Sequence, residues 1–199
     1  MEFTVCNVTV KLKFLFLWLV TILLCFNVGA EIKLGIFFSL LHEAGHLFAI
    51  IILKERPKEI SFGLFGMTIK RQSDLSQNYK NEIITAISGP LTNYILSAVF
   101  IILGFFNSNS LILKSALINL VIASFNIMPV FSLDGGRALE AFLKLRFENE
   151  KSEKILKTVS FFSLIIMLSA GIYILISSGY NFTLLAISVY LIILLFIKC

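Results

Sequence analysis

The sequence predicts an all-α polytopic membrane protein of about six transmembrane helices, with a short β-hairpin on the cytoplasmic side between the second and third. Three observations carry that expectation. Of 199 residues, 58% are apolar and 20 are phenylalanine, above the about 45–50% apolar content of soluble domains. Six charge-poor runs approach or reach the length needed to cross a bilayer: Phe14 to Ala30, Leu34 to Leu53, Ile83 to Phe106, Leu111 to Met128, Thr158 to Ser177 and Phe182 to Ile197. With six spans, 15 of the 17 lysines and arginines fall on one side, and only Lys33 and Lys114 on the other. By the positive-inside rule both termini and the two longer loops are then cytoplasmic. Topology thus accounts for the net charge of +5, and nothing calls for a nucleic-acid partner. The chain reads as a single transmembrane domain over 1–199, with its chemistry at about 34–137 and its C-terminal spans at 158–197.

The first run follows Lys11 and Lys13 and ends at Val28-Gly29-Ala30. That pattern also fits a signal peptide with a small-residue cleavage site, but an uncleaved helix is the preferred reading. Cys6, Cys25 and Cys199 are odd in number and widely spaced, so they suggest neither a disulfide framework nor a structural metal site.

The second run holds the only two histidines, in His42-Glu43-Ala44-Gly45-His46. Residues four apart on a helix share a face, so both imidazoles can reach one ion. Zinc accepts imidazole nitrogen at about 2.0–2.1 Å, and a catalytic site usually has three protein ligands and one open position. A carboxylate beside the first ligand, Glu43, is placed to take a proton from water whose pKa the ion lowers to about 7. This is the logic of the HExxH metalloproteases. Ionisable groups inside a membrane run are costly and are there for function by default.

Next comes Ile60 to Lys70, where apolar residues alternate around glycines as in a short hairpin. An open strand edge there could hold an extended substrate. The third run carries Ser88-Gly89-Pro90-Leu91-Thr92-Asn93.

With no third histidine, the remaining metal ligand must be a carboxylate or a thiolate. The chain has two aspartates: Asp74 lies in a polar, loop-like stretch, whereas Asp134 follows the fourth run in Asn126 to Arg137. There Pro129 interrupts the helix, and Gly135-Gly136 allows backbones to approach closely. Broken backbone at membrane depth needs protein or a wet cavity around it. Depth is the difficulty with Asp134. His46 and His42 should sit about 12 and 18 Å inside the cytoplasmic end of their helix, while a straight fourth helix would carry Asp134 to the surface. The segment after Pro129 must then dip inward, or the fourth helix must begin deeper. Asp134 could also be a helix N-cap. A downstream glutamate, Glu140, is the rival ligand. Beyond it, Leu139, Phe142, Leu143 and Phe147 predict one apolar face of an interfacial helix over Ala138 to Lys154.

Three motifs in order, His42 to His46, Ser88 to Asn93 and Asn126 to Arg137, resemble the site-2 protease family of intramembrane zinc metalloproteases. The resemblance implies zinc bound by His42, His46 and Asp134, with Glu43 as general base. It also makes Asn93 and Asn126 candidate substrate or oxyanion contacts; interhelical hydrogen bonding is their other reading. Substrates would be membrane-embedded or membrane-associated proteins, with a membrane inhibitor or regulator as a further partner and the bacterial cell membrane as the location. Within the family, a small six-span chain with this hairpin is most similar to the sporulation branch, stage IV sporulation protein FB, which processes a sigma-factor precursor. That branch carries a CBS domain after its last span, and this sequence stops at Cys199. A metal-dependent membrane scaffold without hydrolysis is the alternative from another class.

Overall fold

The structure is a computed structural model that describes residues 2–5, 8–12, 29–55, 57–63, 66–71, 78–107 and 109–197. The first predicted span, apart from its last two residues, lies outside them, as do Asp74 and the three cysteines.

Five helices fall on the remaining apolar runs, with a sixth between two of them. The second run forms α1 (Ala30–Ile52) and the third α2 (Tyr79–Phe106), which Asn78 caps by accepting from the Asn81 N–H. The fourth run forms α3 (Ser110–Asn126), capped by Asn109. It is followed by α4 (Asp134–Lys144), α5 (Asn149–Ser178) and α6 (Thr183–Ile197). Alongside them the backbone forms one small sheet of β1 (Glu2–Val5), β2 (Val8–Leu12), β3 (Pro57–Gly63) and β4 (Gly66–Arg71), in the order β1-β2-β3-β4. The β1/β2 and β3/β4 pairs are antiparallel, and β2/β3 is parallel.

Among the described residues three helices are long and apolar enough to cross a membrane: α1, α2 and α5. The apolar helices α3 and α6 have 17 and 15 residues, about 26 and 22 Å at the α-helical rise. The interfacial helix predicted over Ala138 to Lys154 is two helices, broken between Lys144 and Asn149. Its expected apolar face divides, because Leu143 is buried while Phe142 and Phe147 are exposed under Arg146 and Lys151 respectively.

Burial runs opposite to that of a water-soluble bundle. His42, His46, Thr85, Asn93, Ser97, Ser115, Asn119 and Ser160 are buried, whereas Phe48, Phe105, Phe106, Ile166 and Ile176 are exposed. Polar groups that bond across helices inside an apolar outer surface suit a lipid surround, and the fold is that of a membrane protein. α2 lies at the centre of the N-terminal helices, packed against α1, α3 and α4. A separate apolar core joins α5 and α6 through Leu164, Met167, Leu191 and Leu195, and Val130 from the α3–α4 connection inserts into it.

Candidate metal centre

His42 and His46 stand one turn apart on α1, both buried, with their Nε2 atoms 3.2 Å apart. Asp134 Oδ2 lies 2.9 Å from His42 Nε2 and 3.2 Å from His46 Nε2. The depth conflict is resolved by where α3 stops. It ends at Asn126, two residues before the predicted end, and the chain then turns through 127–133 so that α4 begins at Asp134 inside the bundle. Asp134 is therefore the first residue of α4 and not its cap, which is Leu133.

The turn holds because its polar backbone is answered from α5. Buried Ser160 Oγ accepts from the Phe131 N–H at 2.9 Å and lies 3.4 Å from Pro129 O, to which it donates. Gly135 and Gly136 press against the same turn. A Cβ on Gly135 would overlap the Ile127 carbonyl, and one on Gly136 the Val130 carbonyl. Arg137 lies one turn along α4, with Nη1 3.7 Å from Asp134 Oδ1.

Both imidazoles are gripped from behind. His46 Nδ1 donates to the backbone carbonyl of Thr85 at 2.7 Å, and His42 Nδ1 donates to Asn93 Oδ1 at 2.8 Å. α2 supplies both acceptors. Gly89 lets it come this close, since a Cβ there would overlap His46 Nε2 and crowd His42 Nε2.

With each Nδ1 carrying the proton, a neutral imidazole presents a lone pair at Nε2. Two such lone pairs and a carboxylate oxygen then face one point, an arrangement that repels itself unless a cation lies between. Their separations of 2.9–3.2 Å are close to the roughly 3.3 Å edge of a tetrahedron with zinc-length arms. The residues therefore fit a metal ion, and among the described residues His42, His46 and Asp134 form the one group with ligand atoms this close, all within 4.8 Å. Glu43, half-buried, adjoins the first histidine in the chain.

The other candidates divide. Asn93 is wholly buried, with Oδ1 on His42 and Nδ2 donating to Asn119 Oδ1 at 2.8 Å and towards Phe38 O at 3.4 Å. Its amide is committed to hydrogen bonds between helices. Asn126 donates to Ile122 O of its own helix at 2.9 Å and makes no hydrogen bond to the three ligand candidates. Glu140 pairs with Lys144 at 2.5 Å instead of joining the histidines. Sequence reasoning missed Asn119, Ser160 and the Thr85 carbonyl. An asparagine within the apolar run from Leu111 to Met128 was a readable signal for the first; a backbone carbonyl leaves none.

A helical membrane fold enclosing two helix-borne histidines and a distant aspartate defines a class, that of a buried candidate metal centre between membrane helices. The comparisons specify it further. Residues 107–170 match peptidase family M50. A curated zinc metalloprotease of Methanocaldococcus jannaschii is 34% identical over 98 residues, 47% of this chain. The match spans 29% of that relative's length. The solved structure of a site-2 protease from Methanocaldococcus jannaschii superposes with a TM-score of 0.64 at 25% identity, over 96% of this chain and 91% of that one. The chain is thus similar to peptidase family M50 over residues 107–170 and to a solved site-2 protease in fold.

Proposed function

We infer that the chain is an intramembrane zinc metalloendopeptidase, with His42, His46 and Asp134 as zinc ligands and Glu43 as general base. The observation that supports this most is the convergence of three lone-pair donors on one point, 2.9–3.2 Å apart, on the helix that also carries Glu43. Zinc bound there supplies a Lewis acid that polarises a carbonyl and acidifies water. Glu43 takes the proton of the attacking water and passes it to the leaving amide nitrogen. The Thr85 carbonyl and Asn93 keep both imidazoles in the tautomer that leaves Nε2 free.

The substrates are membrane-embedded or membrane-associated proteins, and a sigma-factor precursor in sporulation falls in that class. A peptide bond in a helix has its carbonyl occupied, so the substrate must be unwound, and the β4 edge of the sheet suits an extended segment. The topology that goes with this reading has both termini and the longer, lysine-rich and arginine-rich loops in the cytoplasm of a bacterial cell, with α3, α6 and the 14–30 run also crossing.

Co-expression with candidate membrane substrates tests the assignment. Wild type should yield a cleaved product, and Glu43→Gln should keep its zinc and yield none. Cleavage by Glu43→Gln would remove Glu43 as the base, whereas full biological activity in a zinc-retaining Glu43→Gln that cleaves nothing would end the protease reading in favour of a scaffold. Asp134→Ala should lose zinc while Glu140→Ala keeps it; the reverse would move the third ligand.

A further inference from the structure

The two histidines are fixed in their tautomers by unlike means. His46 Nδ1 meets a backbone carbonyl, Thr85 O, which can only accept, so the proton must sit on Nδ1. His42 Nδ1 meets a side-chain amide, and an amide has two ends. With Asn93 turned over, its NH2 would face His42 Nδ1, the imidazole proton would move to Nε2, and the nitrogen aimed at Asp134 and His46 would no longer offer a lone pair.

The Phe38 carbonyl, 3.4 Å from Asn93 Nδ2, opposes that turn through a long contact, and the shorter bond that opposes it lies one helix further back. Asn93 Nδ2 donates to Asn119 Oδ1 at 2.8 Å, and Asn119 Nδ2 donates to the Ser115 carbonyl at 2.8 Å. Both asparagines are 0% exposed, so water offers neither an alternative. The Ser115 carbonyl can only accept, which puts the NH2 of Asn119 towards it and its oxygen towards Asn93. That in turn puts the NH2 of Asn93 towards Asn119 and its oxygen towards His42. A single direction of donation therefore runs from His42 on α1, through Asn93 on α2, to Asn119 and the Ser115 carbonyl on α3.

We propose that Asn119, acting through Asn93, is a positioning residue that sets which nitrogen of His42 faces the metal position. It touches neither ligand atom nor substrate. The proposal rests on the metal reading above, and it makes α3 part of the histidine side of the site.

The test uses zinc competition against a chelator, together with the ring N–H resonances of the full chain labelled with 15N-histidine in detergent. With only two histidines, the spectrum is simple. Asn119→Leu should weaken zinc binding about tenfold, the lower end for groups behind a ligand. It should also displace the Nδ1–H resonance of His42 and leave that of His46 in place. Asn119→Asp, whose protonated carboxyl donates its O–H to the Ser115 carbonyl and keeps an oxygen towards Asn93, should restore both readouts. Unchanged affinity in Asn119→Leu, no rescue by Asn119→Asp, or equal displacement of both histidine resonances would each overturn the proposal. If wild type takes up no zinc, the metal reading fails separately. The same resonances in the metal-free variants then decide the relay, and His42 moving in Asn119→Leu but not in Asn119→Asp upholds it.

Discussion

On one side of the candidate site two imidazoles rise from an unbroken helix, backed by a second unbroken helix whose Thr85 carbonyl and Asn93 amide hold them. On the other side a carboxylate sits at the first residue of α4, after a seven-residue turn whose backbone is answered by a serine from α5. The histidine side gets its geometry from helical spacing, which local hydrogen bonding provides wherever the helix forms. The aspartate side gets its geometry from tertiary contacts, which must all be present together. Histidine placement should therefore survive most changes that touch neither the α1–α2 contact nor the Asn93–Asn119 bond behind it, whereas aspartate placement should respond to changes well away from it.

Three substitutions probe that difference, beginning with the largest effect. Gly89→Ala puts a methyl group against the facing nitrogens of both histidines, and zinc affinity in a chelator competition should fall about 100-fold, the upper end for changes behind a ligand. Wild-type affinity in that variant would mean that α2 does not press on the imidazoles. Gly135→Ala drives a methyl group into the Ile127 carbonyl, a backbone atom that can move only with the turn. Thermal unfolding in detergent should show a loss of about 1–3 kcal/mol, as for overpacking elsewhere, while the histidine N–H resonances keep their wild-type positions. If those resonances shift as much as in Gly89→Ala, the two sides are not separable. Ser160→Ala removes the hydroxyl that takes the Phe131 N–H and should cost about 1–2 kcal/mol. Zinc affinity should fall in step although the substituted residue lies on a different helix from every ligand. Unaltered zinc binding would show that the turn keeps its shape without α5.

The same contrast explains what the amino-acid order revealed. His42, Glu43 and His46 were legible because helical spacing turns a five-residue pattern into a face, and because the chain holds no other histidine. Asp134 was legible through scarcity and the nearby Pro129 and Gly135-Gly136. Its depth was not, since the run from Leu111 to Met128 looks equally apolar to its end, and only the packing of Val130 and Ser160 shows where the helix stops. Asn93 was visible as a motif member, but its direction was hidden because its partners lie 51 and 26 residues away. The break between Lys144 and Asn149 escaped notice because the charged stretch there contains no proline or glycine to mark it.

Ser160 also imposes an order on biosynthesis. The histidines leave the ribosome first, Asp134 follows 88 residues after His46, and the hydroxyl that steadies its turn comes later still, on α5. A chain that has inserted α1 through α4 thus carries every proposed ligand without the support that sets the last one. Because synthesis proceeds from the N-terminus and folding follows it, the proposed site of the nascent chain should lack that support until α5 is in place.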